Sequence, residues 1–182
     1  MGEGEGEGAV RGQDSLGSHR RFPQGVRQVS EALDNAIALA MRGWKILPVT
    51  PKAKTPYFPI ARSGYKVATD DIDLIKKWAK TEKALNFGVA CAPSGLVVID
   101  IDRRNGGYYG EFNDDTFRVR TTDGWHYYFK TSSEASYPGK LAMGVDVKFN
   151  GYVVAPGSIH PSGFAYAIEN DVPPAPAEAM FA

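Results

Sequence analysis

Along the chain the spacing of apolar positions changes character twice. Residues 1 to about 27 alternate Gly with Glu and continue in Gly, Ser, Arg and Gln, with no apolar period, so a disordered tail is expected there. From Ser30, a plausible N-cap, Leu33, Ala36, Ile37, Ala40 and Met41 recur at helical spacing until Gly43, which predicts an amphipathic helix. A short strand over 45–49 leads into a proline-rich loop, 51–59. Thr69 then reads as the cap of a second helix whose Ile72, Ile75 and Trp78 form a narrow apolar stripe ending near Thr81.

Beyond that point the period shortens to that of strands. Segments 86–91, 96–102, 117–121, 125–130, 145–149, 152–155 and 164–168 are punctuated by Gly, Asn, Pro and Asp. Asn150-Gly151 between two of them is the signature of a type I′ hairpin turn. From Pro173 alternating Pro and Ala read as a linker or C-terminal tail. Two helices early and many strands late predict an α+β domain with a mainly antiparallel sheet over 28–170, flanked by the tail 1–27 and the segment 171–182.

Composition narrows the class without naming a function. With 43% hydrophobic and 23% charged residues, the 182-residue chain has the makings of one packed core. Its longest apolar runs fall far short of the roughly 20 residues of a bilayer span, and no apolar signal core opens the sequence, so a cytoplasmic protein without membrane partners is expected. A single cysteine, Cys91, excludes an internal disulfide or cysteine zinc ribbon and reads as a small buried residue. The 21 basic and 21 acidic residues cancel, yet Arg42, Lys45, Lys52, Lys54, Arg62 and Lys66 fall in a stretch without Asp or Glu. A positive face and ordinary solvated lysines both remain open there.

The candidate chemistry starts at Val97-Val98-Ile99-Asp100-Ile101-Asp102, a buried strand ending in two carboxylates. Side chains two apart on a strand share a face, with Cα atoms roughly 6.5–7 Å apart, so both could grip one ion. Asp146, in Gly144-Val145-Asp146-Val147-Lys148, is a third carboxylate on another strand. Three anions about 5 Å apart would repel by roughly 3 kcal/mol per pair at an effective dielectric near 20 and would need cations. Hard oxygen donors suit Mg²⁺ or Mn²⁺, and paired ions are a recurring device for phosphoryl transfer. By itself an Asp-x-Asp pair is common, so solvated strand-end carboxylates stay open as an alternative. His126 shares a strand face with Tyr128, and a strand histidine can equally be structural. Ser158 and His160 lie in a small, turn-rich stretch suited either to a ligand or to an ordinary Gly/Pro turn.

Taken in order, these pieces resemble the primase-polymerase (prim-pol) domain of the archaeo-eukaryotic primase superfamily, found in phage, plasmid and archaeal replication proteins. Asp100-Ile101-Asp102 resembles its first motif. Thr121-Thr122-Asp123-Gly124-Trp125-His126 resembles its second, one residue tighter than the paired-glycine form often seen. Asp146-Val147-Lys148 with Gly151-Tyr152-Val153-Val154-Ala155-Pro156-Gly157-Ser158 resembles its third. The stretches 43–56 and 68–88 are also similar to the family, so the resemblance covers about residues 33–168.

The resemblance implies a two-layer fold with a mainly antiparallel, RRM-like catalytic sheet and a small N-terminal α/β part. It implies a DNA primase or polymerase that adds nucleotides on a single-stranded template. Asp100, Asp102 and Asp146 would hold two Mg²⁺ or Mn²⁺ ions, and His126, Lys148, Ser158, His160 and Lys54 would bind the nucleotide triphosphate. Arg103, Arg104, Arg118 and Arg120 would contact nucleic acid. Nucleotide triphosphates, single-stranded DNA template and primer are the implied partners, with a replicative helicase as a further candidate. A metal-dependent nuclease and a catalytically weak nucleic-acid-binding accessory are the competing classes.

Overall fold

The computed structural model describes residues 24–82, 84–108 and 112–181, so the expected tail up to residue 23 lies outside the described residues. The elements run α1 (Gln24–Ala40), β1 (Lys45–Val49), α2 (Ile72–Thr81), β2 (Asn86–Ala90), β3 (Leu96–Asp102), β4 (Arg118–Thr121), β5 (Gly124–Lys130), β6 (Lys140–Ala142), β7 (Val145–Lys148), β8 (Tyr152–Val154), β9 (Ala167–Asn170) and β10 (Ala175–Pro176). The architecture is α+β and mainly antiparallel, in two open sheets.

Helix α1 starts six residues before the expected Ser30 cap. Its buried stripe is Ala32, Ala36, Leu39 and Ala40, whereas Met41, expected on that stripe, is 74% exposed. The stripe turns toward small residues because the helix lies against backbone. A Cβ placed on Gly157 would stand 2.7 Å from the Glu31 carbonyl oxygen and 2.8 Å from Ala32 Cα, and its φ of +81° is one that glycine adopts readily. Helix α2 buries Ile75 and Trp78 as expected, but its cap is Asp71, whose Oδ1 accepts from the Asp73 and Leu74 amides. Thr69 acts one step earlier, its hydroxyl accepting from the Asp71 amide.

The small sheet has the order β1-β2-β8 and the large one β6-β7-β3-β5-β4-β9, with β10 added parallel to β5. One face of the large sheet, carrying Leu96, Val98, Val119 and Tyr128, packs on the helices and the small sheet. Trp44 seals that layer, stacked on Tyr128 at 5.4 Å and edge-on to Phe117 at 5.1 Å between ring centroids. The opposite face, with Val97, Ile99, Ile101, Tyr127, Phe129, Val145 and Val147, is also buried, under Phe149, Met180 and flanking segments. Strand β3 is therefore covered on both sides, which accounts for its unbroken apolar run from Leu96 to Ile99.

Three further expectations differ from the structure. Asn150-Gly151 forms no type I′ hairpin: β7 belongs to the large sheet and β8 to the small one, and neither turn residue has positive φ. The chain instead crosses between sheets there, with the Cys91 amide donating to the Gly151 carbonyl and the Ala92 amide to that of Phe149. The last expected strand forms later, at Ala167–Asn170. The segment after Pro173 packs into the domain, since Ala175 and Pro176 pair with Phe129 and Lys130 and Met180 is buried. Cys91 is buried as expected, and desolvation pushes its thiol up to about 12, which leaves it inert at neutral pH.

Candidate active site

Three adjacent strands bring the candidate chemistry into one row. In the register of the large sheet Asp100 on β3 lies directly opposite Asp146 on β7 and, on its other side, directly opposite His126 on β5. Like charges directly opposite on neighbouring strands repel. The compensation is Lys148, two residues after Asp146 and so on the same face, whose Nζ lies 2.8 Å from Asp146 Oδ2 and 3.8 Å from Asp100 Oδ2.

Asp102, at the end of β3, faces the same cavity but is drawn to the turn that follows. Its Oδ1 accepts from the Arg104 amide at 3.1 Å and its Oδ2 from Asn105 Nδ2 at 2.9 Å. The Arg104 guanidinium spans Asp102 at 3.4 Å and Asp123 at 3.5 Å. Hence, among the described residues, no three carboxylate, imidazole or thiolate groups enclose an ion as they stand. Asp100 and Asp146 nevertheless suit a cation by direct observation, because the chain itself places one, the Lys148 ammonium, between them.

His126 is buried, with Nε2 3.5 Å from Asp100 Oδ1 and, among the described residues, no hydrogen-bond partner at Nδ1. Burial is the main cause of its lowered pKa, with Lys54 and Lys148 adding to it against the opposing pull of Asp100. The ring is therefore neutral at pH 7 and can donate from one nitrogen. Tyr166 stacks on it at 5.9 Å and touches His160 at 6.1 Å between centroids. The pKa of His160 is lowered too, first by burial and then by Lys54 and Arg104, and its Nδ1 accepts from the Ser162 amide.

Together these groups line a cavity of about 760 Å³, shared by Asp100, Asp102, Asp146, His126, Lys148 and Lys54. That is ample for a nucleotide-sized ligand. Tyr152 lines it as well, and its hydroxyl donates to the Lys54 carbonyl, fastening the proline-rich loop beside the carboxylates. A small adjoining hollow collects His160, Arg104 and Asp123 around the same Asp100, Asp102, His126 and Lys54.

Not every candidate arrives at the cavity. Ser158 is fully buried, its hydroxyl accepting from the Phe87 amide at 3.0 Å and facing the Phe87 carbonyl at 3.2 Å. The close approach expected of the Gly157-Ser158 turn is made by α1 rather than by a ligand. Ser158→Ala should lower unfolding free energy by about 1–3 kcal/mol, because it strands a buried amide, while leaving nucleotide KM unchanged. Thermal melting and steady-state kinetics measure the two effects, and a raised KM at unchanged stability would return Ser158 to the site.

The arginines divide as well. Arg118 is held by Asp114 and by Glu169 at 2.9 Å and lies over the Tyr127 ring, on the face of β4 away from the carboxylates. Arg120 is exposed over Phe164, and Arg103 is exposed beside the Asp102 turn. Of the basic stretch 41–66, Arg42 and Lys45 are neutralised by Asp171 and Asp70, both at 2.7 Å. Tyr166 joins the site with no signal in the sequence, Asp123 and Tyr152 are marked only by their places inside the second and third motifs, and Arg104, expected to contact nucleic acid, pairs with the carboxylates instead.

The family model of the bifunctional DNA primase/polymerase N-terminal domain, Prim-Pol, matches residues 36–180. The chain belongs to the Prim-Pol family. No curated protein matches the chain significantly. The family is one of primase/polymerase-type enzymes, so nucleotides and DNA are the expected ligand classes. Among the described residues no helix is long and apolar enough to cross a membrane.

Proposed function

We propose that the chain is a metal-dependent nucleotidyltransferase that adds nucleotides to a DNA strand on a single-stranded template, as a primase, a polymerase or both. The observation that carries this reading is the row Asp146–Asp100–His126 with Lys148 beside it, opening on a cavity of nucleotide size. Asp100, Asp146 and Asp102 would hold two Mg²⁺ or Mn²⁺ ions. When bound, such ions supply charge neutralisation and Lewis acidity at the reacting phosphate.

The remaining work falls to the chain's own side chains. Neutral His126 donates a hydrogen bond to a phosphate oxygen without adding a charge. Lys148 and Lys54 bring ammonium groups to the triphosphate and to the pyrophosphate that leaves, and His160 lines the adjoining hollow. The rigid three-strand register fixes these groups before substrate arrives, and in phosphoryl transfer positioning and charge stabilisation supply most of the catalysis. Arg103, exposed beside the Asp102 turn, is the arginine best placed to meet template phosphates, since Arg120 shares with Arg118 the face of β4 away from the carboxylates and Arg104 belongs with the carboxylates.

The deciding assay incubates the protein with a primed single-stranded template, labelled deoxynucleotide and Mn²⁺. Extension of the primer is the expected outcome. Degradation of the strand without incorporation would make the protein a nuclease, and binding without either reaction an accessory module. Omitting the primer shows whether the enzyme also starts chains.

A further inference from the structure

We infer that Lys148 is a built-in placeholder, an internal cation that holds Asp100 and Asp146 in register until divalent metal takes its position and releases its ammonium toward the nucleotide phosphates. This rests on the proposed metal role of the two aspartates and goes beyond it in assigning a metal-free function to a third side chain. Asp100 and Asp146 are directly opposed across β3 and β7, where two uncompensated carboxylates would push the strands apart. Lys148 Nζ bonds Asp146 Oδ2 at 2.8 Å and reaches Asp100 Oδ2 at 3.8 Å, and its side chain is only 34% exposed, so the bridge is partly withdrawn from solvent. Two cations cannot share that position. Metal entering between the carboxylates must displace the amine, and the space open to it is the cavity that Lys148 already lines. Metal binding and the arrival of a phosphate-binding charge thereby become one event, an exchange of cations at fixed anions.

Exchange predicts that metal and Lys148 compete. Mn²⁺ binding to the free protein, read by electron paramagnetic resonance without nucleotide, should tighten on the order of tenfold in Lys148→Met and in Lys148→Gln, which differ in polarity but both lack the ammonium. Lys54→Met removes a charge from the same cavity that makes no ion pair with these carboxylates among the described residues, and should change Mn²⁺ affinity less than twofold. In chelator, circular dichroism should show both Lys148 variants folded but melting below the wild type, and saturating Mn²⁺ should raise their melting temperatures by more than it raises that of the wild type. Unchanged or weaker Mn²⁺ binding in both Lys148 variants, or an equal gain in Lys54→Met, overturns the placeholder and leaves the metal role intact. Wild-type Mn²⁺ binding that survives Asp100→Asn with Asp146→Asn overturns both.

Discussion

Replacing Asp100 and Asp102 together by alanine should abolish nucleotide incorporation, a fall of roughly a thousandfold or more, while the protein stays folded. The two parts of that expectation have separate causes. Both carboxylates face the cavity and neither is part of the apolar core, so their removal opens no hole in it. Removing Asp100 also relieves its opposition to Asp146, although it leaves Lys148 with a single partner. The cap that Asp102 gives the following turn is lost, a cost of about 1 kcal/mol, and with it go the exposed contacts of Asp102 with Arg104 and Asn105 and the contact of Asp100 with His126. Primer extension with Mn²⁺ measures the first part and thermal unfolding the second. Incorporation that persists in the double variant would refute the assignment of the site.

The second large effect is expected at Gly124. A Cβ there would lie 1.7 Å from the Ile101 carbonyl oxygen and 2.8 Å from its carbon, both backbone atoms at the end of the β3–β5 ladder that carries the carboxylates. No rotamer change relieves such a contact, so Gly124→Ala must separate the strands where Asp102 pairs. Destabilisation of at least about 3 kcal/mol is expected, at the upper end of overpacking costs. Activity should fall with it, since His126 and Asp100 share that ladder. Gly139→Ala, where nothing lies within 4 Å of the added atom, serves as the control and should be near neutral. Chemical denaturation of the three proteins gives the comparison, and a wild-type midpoint for Gly124→Ala would show that the strands can yield. This contact also gives a structural reason for the glycine of the second motif, which the neighbouring strand demands.

The parts legible in the sequence are those whose cause is local or periodic. Strand β3 and its terminal carboxylates stood out because a strand buried on both faces must be continuously apolar, and the break to Asp100 and Asp102 marks where the cover ends. The alternation of His126 with Tyr127 and Tyr128 gave the correct faces for the same reason. Helix α2 was visible, yet its cap was displaced by two residues because Thr69 and Asp71 both offer side-chain oxygens, and the chain uses them in series. What stayed hidden depends on partners distant in sequence. Asn150-Gly151 has hairpin composition, but whether two strands pair or part company is settled by the sheets on either side. Strands β6 and β10 are three and two residues long and exist through the neighbours that receive them. For Ser158 a ligand contact is implied only by the resemblance, and nothing in its own surroundings announces the Phe87 backbone across the core. Arg104 had the right type for template phosphates, and only the fold adds Asp123 to the nearby Asp102 around it.

The order β7-β3-β5 has a consequence for how the protein reaches its working form. Asp100 and Asp146 face each other across two strands whose pairing closes a loop of some forty-five residues, and β5 sits on the other flank of β3. Contacts of that range form late and slowly, after the chain entropy of closure has been met. No early hairpin contains the carboxylate pair. Divalent-ion binding by the pair, as proposed, would therefore report completed folding, and a refolding experiment followed through Mn²⁺ uptake would time the final strand docking rather than the first collapse.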